Sequence, residues 1–306
     1  MAVPPLPRKA PMISFLFLFL SALPTQAKEI AFTFDDAPAA YTLHFESGDR
    51  TKKLIQKMKE LKLPPAIIFA NPCKEGANGK PIQQLEQYVK AGHLVANHTC
   101  THPRLDDAGF EEYIRDTAQA DTLLAPLMLG PKFFRYPFLN EGSEEKLRDS
   151  VRDWLQKNQY RHGAVSIDND DYLFAFKLNK AKELKKKIDY EKVKALYLKH
   201  ILAAAEFYDN LAREKLGRSP KHVLLLHEVD SSVLYLEDLV AEFKRRGWKI
   251  ISAAEAFEDK IYAEAPKSLY ANNGIIAQLV HEKTGEKARF GDFEKLTTDL
   301  DTILGL

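Results

Sequence analysis

The sequence has few cysteines, no excess of either charge and no apolar run long enough to cross a membrane. Its 306 residues include two cysteines, which excludes a disulfide-rich scaffold. Lys and Arg total 44 against 43 Asp and Glu, a balance that argues against a nucleic-acid binder that works by phosphate neutralisation. The apolar run from Met12 to Leu23 is about a dozen residues long, short of the roughly 20 needed to span a bilayer. A chain of this length can bury a substantial core, in one large domain or two small ones.

The N-terminal segment has the pattern of an export signal. Arg8 and Lys9 precede the apolar run, and the small residues Thr25 and Ala27 follow it at cleavage-site spacing. This pattern predicts that residues 1–27 are a secretory signal peptide, with a membrane anchor as the alternative. We expect an exported protein, periplasmic or secreted, without a stable membrane anchor after cleavage.

Cys73 and Cys100 are each predicted to lie in a loop that follows a strand. An oxidising compartment would permit one disulfide between them. Two unpaired thiols remain the alternative, because sequence alone cannot establish the geometry of the pair.

Short apolar runs alternate with amphipathic stretches of helical spacing along the rest of the chain. This alternation predicts an α/β fold with a parallel sheet or barrel. The predicted strands are EIAFTFDD, AIIFANPC, HLVANHT, KFFRYPF, GAVSID, HVLLLHE and WKIIS. A lysine-rich helical insert is expected around residues 178–215, and residues 258–306 are expected to form a mostly helical C-terminal extension. The charged helices of the insert could bind an acidic polymer or a membrane, but mixed charges on a helix usually mark a solvated face.

His98 and His102 lie four residues apart in the segment VANHTCTHPRL. Pro103 disfavours helical geometry at His102, so the pair is predicted to lie on a loop that leaves a strand. Two histidines in a loop are solvated by default. A carboxylate ligand from elsewhere in the chain would turn them into a metal site.

Polar side chains follow the apolar part of strand after strand. In parallel α/β folds the carboxyl ends of the strands meet at one rim, where catalytic residues gather. We therefore expect these clusters to converge. They are Asp35 with Asp36, His98 with His102, Arg135, the aspartates between Asp168 and Asp171, and His227.

Five segments carry a resemblance to a known family. TFDD, HTCTH, RYPF, DNDDY and LLLH occur in the order and approximate spacing of the motifs of the polysaccharide deacetylase family, carbohydrate esterase family four, whose unit is the NodB homology domain. The resemblance extends from about Glu29 to Ala256, which places the catalytic domain at residues 28–257. It implies a distorted (β/α) barrel and a hydrolase that removes acetyl groups from sugars with a divalent metal.

Asp36, His98 and His102 match the metal ligands of that family. Two imidazoles and one carboxylate leave coordination positions open, as in catalytic zinc sites. The resemblance implies one divalent ion, with zinc expected and cobalt or another divalent ion possible. Such an ion lowers the pKa of a bound water and polarises the substrate carbonyl.

Asp35 matches the family's catalytic base and His227 its general acid. A base must accept a proton as water attacks, and an amine leaving group must receive one. The same resemblance implies that Arg135 holds Asp35. It also implies that an aspartate of DNDD, best placed as Asp171, with Asp168 and Asp170 as alternatives, holds His227.

Two further residues are implied to contact the substrate. The backbone N–H of Phe138 matches the donor to the developing oxyanion, although many relatives have tyrosine at this position. Tyr172 stands where tryptophan commonly follows the aspartate of the fourth motif, and Ala37 replaces a usual glycine. The wall of the acceptor pocket is therefore expected to differ from that of typical relatives.

The expected function is a secreted, metal-dependent N-deacetylase acting on an acetylated glycan such as peptidoglycan or chitin oligomers. An O-acetyl esterase using the same site is a close alternative, because an alkoxide is easier to expel than an amine. A non-catalytic, metal-containing glycan binder is a further alternative. No nucleic-acid partner is expected, and the sequence predicts no oligomeric state.

Overall fold

The computed structural model describes residues 1, 27–39, 43–45, 49–73 and 80–306. Residues 2–26 of the predicted signal peptide lie outside the described residues, so the structure does not test that prediction. Within the described ranges, no helix combines the length and the apolar character needed to cross a membrane.

Parallel strands form one curved sheet at the centre of the molecule. They are β1 (Glu29–Ala37), β2 (Ile67–Ala70), β3 (Leu94–Asn97), β4 (Phe133–Phe134), β5 (Arg161–His162), β6 (His222–His227) and β7 (Lys249–Ile250). Their order across the sheet is β5-β4-β3-β2-β1-β6, and β7 pairs with the start of β1. All pairings are parallel, so the carboxyl ends of the strands share one rim.

The segment from Arg161 to Ile167 joins the two edges of the sheet. Its first residues pair with β4, and Ile167 then bridges to Leu224 of β6 on the opposite edge. The sheet is thereby curled into a distorted (β/α) barrel, as the resemblance implied. The predicted strand GAVSID is wrong as a single strand, because its residues cross between the two edges. Gly163 permits the crossing, since a Cβ atom there would lie 2.5 Å from the ring of Phe69.

Helices cover the outside of the barrel. They are α1 (Asp49–Glu60), α2 (Pro81–Lys90), α3 (Leu105–Leu124), α4 (Glu145–Lys157), α5 (Asp171–Glu183), α6 (Tyr190–Leu211), α7 (Asp230–Arg245), α8 (Ala253–Ala256), α9 (Ile275–Thr284) and α10 (Phe293–Leu304). Each of the longer helices buries an apolar stripe, as Leu54 and Met58 do on α1.

The expected insert at 178–215 is occupied by the end of α5 and by α6. Helix α6 buries Val193, Tyr197 and Ile201 against the core, while the lysines of its other face are solvated or paired. Lys194, for example, contacts Glu191 at 2.8 Å. This helix is therefore an integral layer of the core rather than a surface appendage.

Helices α9 and α10 pack on the barrel and share its core. The N–H of Ile275 donates to the carbonyl of Val165 at 2.8 Å, and the side chain of Lys177 on α5 lies 2.5 Å from that of Asp301 on α10. Gly274 allows this close approach, because a Cβ atom there would lie 2.7 Å from the Val165 carbonyl oxygen. The predicted domain boundary at residue 257 stays a prediction.

Candidate active site

Asp35 and Asp36 lie next to each other near the carboxyl end of β1. Asp36 has a positive φ of 65°, a left-handed conformation that a non-glycine residue adopts at an energetic cost. The two carboxylates have different partners: Asp35 Oδ1 accepts from Arg135, and Asp36 Oδ1 lies 3.2 Å from His102 Nε2. Asp35 is buried, whereas Asp36 lies at the pocket surface.

Arg135 is fully buried inside the barrel and connects several groups of the site. Its Nη1 donates to Asp35 Oδ1 at 2.5 Å and to Thr33 Oγ1 at 2.9 Å, and its Nε donates to the Gly163 carbonyl at 2.7 Å. Burial raises the pKa of the Asp35 carboxyl, and the positive charges of Arg135 and His227 lower it again in part. Arg135 thus fixes the orientation of this carboxylate.

The two histidines lie on a loop after β3, as the proline behind them predicted. Thr99 and His102 both have positive φ angles, 67° and 66°. Side chains hold the loop in this shape: Asn97 Oδ1 accepts from the Thr99 N–H at 2.8 Å, and Thr99 Oγ1 accepts from the His102 N–H at 3.1 Å. Asn71 also donates to the carbonyls of His98 and Thr99.

A disulfide ties this loop to the chain that leaves β2. Cys73 is bonded to Cys100, which lies between the two histidines, and the Cys73 N–H donates to the Cys100 carbonyl at 3.0 Å. Asp116 Oδ1 accepts from the Cys100 N–H at 2.6 Å on the other side. The sequence left this pairing open, and the tertiary structure decides it.

Asp36, His98 and His102 form a three-residue cluster at the pocket surface. Their ligand atoms lie within 4.8 Å of one another, with His102 Nε2 at 3.2 Å and His98 Nε2 at 3.7 Å from Asp36 Oδ1. His98 Nδ1 lies 2.8 Å from the Arg135 carbonyl, which directs Nε2 towards the cluster. Ligands bonded at about 2.0–2.2 Å around a tetrahedral zinc stand at similar separations, so the donor set fits a divalent metal.

His227 ends β6 and lies directly beside Asp35 in the sheet. The two residues are register partners of β1 and β6. His227 Nδ1 lies 2.6 Å from Asp171 Oδ1, and Asp171 Oδ2 accepts from the His227 N–H at 2.9 Å. Burial alone would lower the pKa of His227, but the Asp171 carboxylate and nearby acidic groups raise it to about 9. Of the three candidate aspartates, the structure places Asp171 against the imidazole.

These groups open into one pocket of about 390 Å³. Phe138 and Tyr172 both contribute to its wall. The Phe138 side chain is 51% exposed and lies 4.5 Å from the His102 ring, and Tyr172 lies 5.5 Å from the His227 ring, both measured between centroids. Phe138 has a positive φ of 57°, in the short turn that follows β4.

Other pocket residues were not singled out from the sequence. Arg104, Asn272 and Arg289 also line the cavity. Arg104 follows His102 closely and could have been found by its proximity to the histidine motif. Asn272 and Arg289 belong to the C-terminal segment, where no pattern in the sequence indicated a site.

The sequence is similar to a known protein family and to a named bacterial enzyme. A family profile described as polysaccharide deacetylase matches residues 22–161, which include the segments TFDD, HTCTH and RYPF. Over 243 residues the chain is 23% identical to a peptidoglycan-N-acetylglucosamine deacetylase of Bacillus cereus, an alignment that covers 77% of this chain and 70% of the relative. The family resemblance inferred from the motifs is confirmed.

Two solved structures have similar folds. One is a polysaccharide deacetylase from Bacillus cereus, with 20% identity, a TM-score of 0.53 and coverage of 74% of this chain and 91% of that one. The other is a pseudoenzyme of carbohydrate esterase family four from Bacillus anthracis, with 15% identity, a TM-score of 0.51 and coverage of 76% and 66%. At these identities the likeness establishes the fold and not the chemistry.

Proposed function

We propose that the chain, which is similar in sequence and fold to polysaccharide deacetylases, is an exported, metal-dependent hydrolase that removes acetyl groups from N-acetylated sugars of a polysaccharide or its oligomers. One observation carries the proposal. Asp35 and His227 are neighbours across β1 and β6, each held by a charged partner, beside the cluster of Asp36, His98 and His102. A proton acceptor and a proton donor thus share one pocket.

The cluster would hold the divalent ion through one carboxylate oxygen and two imidazole nitrogens. Zinc suits this donor set, and other divalent ions are alternatives. When bound, the ion supplies Lewis-acid polarisation of the acetyl carbonyl and lowers the pKa of a water.

Asp35 acts as the general base. Its carboxylate accepts a proton from water as the water oxygen bonds to the acetyl carbon. Arg135 keeps the carboxylate oriented, and the backbone N–H of Phe138 donates to the oxygen that becomes negative in the tetrahedral intermediate. The pocket residues thereby stabilise the transition state more than the bound substrate.

His227 acts as the general acid. With its pKa raised to about 9, well above its usual 6.5, the imidazole is protonated at neutral pH. Its Nδ1 is engaged by Asp171, so Nε2 is the nitrogen that donates to the leaving amine. The C–N bond then breaks, and acetate and a free amino sugar are released.

A glycan of N-acetylglucosamine is the proposed substrate class, with peptidoglycan to be tested first. The relative from Bacillus cereus bears that specificity in its name. Family membership alone does not ensure catalysis, since one structural relative is described as a pseudoenzyme. Here both proton carriers are present with their orienting partners, which favours an enzyme over a binder.

The direct test is acetate release. The purified mature protein is incubated with peptidoglycan, N-acetylated chito-oligosaccharides and O-acetylated glycans, with and without a chelator. We expect acetate from an N-acetylated glycan, loss of the activity with chelator, and recovery on adding zinc. Release from O-acetylated glycans alone would reassign the protein as an esterase, and no release from any substrate would contradict the proposal.

His227→Ala should discriminate between leaving groups. An amide needs a proton on nitrogen before the C–N bond breaks, so kcat/KM on an N-acetyl sugar should fall by about 10²–10⁴-fold. An aryl acetate has a leaving group that hardly needs a proton, and its hydrolysis should fall far less. Asp171→Asn, which keeps the side-chain shape, should give an intermediate loss on the amide. Equal losses of His227→Ala on both substrates would remove the assignment as general acid.

A further inference from the structure

The C-terminal segment supplies one wall of the pocket through Asn272. The Asn272 N–H donates to the Leu139 carbonyl at 3.1 Å, in the turn that carries Phe138. Its side-chain oxygen accepts from Arg104 Nη2 at 2.7 Å and from Asn140 Nδ2 at 3.0 Å. Three hydrogen bonds, two from the turn after β4 and one from Arg104, therefore fix this wall in place.

Arg289 lies on the same segment, in the loop between α9 and α10, and also lines the pocket. Its side chain is 55% exposed, and its Nη2 lies 3.9 Å from Asp170 Oδ1, at the long limit of an ion pair. An arginine held this loosely keeps N–H donors available for a ligand. Nothing in the proposed proton transfers uses it.

Asp168 and Asp170 line the pocket beside Arg289 and are likewise unused by the chemistry. Burial and, after it, the neighbouring Asp170 carboxylate raise the pKa of Asp168 to about 7, although the positive charge of Arg289 opposes the shift. Near neutral pH the Asp168 carboxyl can therefore either accept or donate a hydrogen bond. When both carboxyl groups are ionised they outweigh the one guanidinium, which favours a neutral sugar over one with an anionic substituent at this wall.

Sugar hydroxyls match this set of groups. Each hydroxyl both donates and accepts, so adjacent ring hydroxyls can donate to a carboxylate and accept from a guanidinium at the same time. A few fixed polar groups of this kind usually orient a ligand within an otherwise apolar pocket. The apolar part here is supplied by Phe138 and Tyr172.

We propose that Arg289, Asp168 and Asp170 form a hydroxyl-binding subsite for a neutral amino-sugar ring, and that the C-terminal segment thereby sets which glycans bind. The inference rests on the proposed function for the identity of the ligand as an acetylated glycan. Arg289 is assigned to binding and not to proton transfer.

The test measures binding separately from catalysis. In an Asp35→Asn background, the dissociation constant for N-acetylchitotetraose is measured by isothermal titration calorimetry with zinc present. Arg289→Ala should weaken binding about 10-fold or more, the worth of one hydrogen bond to a charged group. Arg289→Lys, which keeps the charge, should recover part of the loss. Arg245→Ala, on the exposed face of α7 and outside the pocket, is the matched control and should leave binding unchanged.

Kinetics in the otherwise unaltered protein give a second readout. Arg289→Ala should raise KM for the tetrasaccharide with little change in kcat, and should lower kcat/KM for the tetrasaccharide far more than for an aryl acetate, which has no ring hydroxyls. An unchanged dissociation constant and KM, or no binding of the tetrasaccharide at all, would overturn the subsite. Binding that depends on Arg289 without any acetate release would overturn the proposed activity and leave the subsite standing.

Discussion

Replacing His102 by alanine is expected to remove the bound metal and, with it, turnover. The cluster would keep only Asp36 and His98, and two ligands hold a divalent ion too weakly at working concentrations. Loss of a ligand should exceed the roughly 10–100-fold loss of affinity that follows removal of an orienting neighbour. The measurements are zinc content per chain after dialysis and kcat/KM for acetate release.

Thr101→Ala is the matched control for this variant. Thr101 lies in the same loop, and its hydroxyl donates to Asp116 Oδ2 at 2.7 Å, so the change perturbs the loop without removing a ligand. This control should retain zinc and most of the activity. Circular dichroism should show an intact fold in both variants, because the site lies on a rim and contributes little to the core. His102→Ala purified with one zinc per chain would show that the proposed metal site is wrong.

Asp35→Asn is expected to lower kcat/KM by about 10²–10⁴-fold while metal binding persists. The amide cannot accept the proton of the attacking water, which is the usual contribution of a positioned base. Asparagine keeps an oxygen that can accept from Arg135, and the three metal ligands are untouched. Thermal stability should decrease, because the buried Arg135 loses its counter-charge.

Thr33→Val is the control for Asp35→Asn, because it removes a contact of Arg135 without removing the proposed base. Thr33 Oγ1 accepts from Arg135 Nη1 at 2.9 Å, so valine loosens the guanidinium but leaves the Asp35 carboxylate present. We expect a loss of activity below 10-fold, within the range of one hydrogen bond. If Asp35→Asn retains activity comparable to that of Thr33→Val, with equal metal content, Asp35 does not act as the base.

Much of the candidate site could be predicted because its residues follow strands. Asp35, Asp36, His98 and His227 each come after an apolar run, and parallel strands direct such positions to one rim. The choice of Asp171 was less secure, since three aspartates stand close together in the sequence. Its contact with His227 depends on the start of α5, where the helix turns this carboxylate inward.

Two features depend on contacts between distant segments, which the hydrophobic pattern of the sequence does not encode. The apolar run after Arg161 had the composition of a strand, but its backbone partners lie on both β4 and β6. The hydrophobic pattern of the sequence indicates which residues are buried. Which strand edges pair with each other depends on the curvature of the whole sheet. The disulfide between Cys73 and Cys100 likewise required two loops to meet, and the sequence allowed either outcome.

By itself the sequence determined the alternation of strands and helices, the resemblance to a family, and the residues that its five motifs predict to be functional. Those features are local, because strand periodicity and motif spacing depend only on residues within short stretches of the sequence. Only the tertiary structure decided that Asn272 and Arg289 complete the pocket. They lie far along the chain from the motifs, and only the packing of α9 and α10 against the barrel, through contacts such as Ile275 to Val165, brings them to its rim.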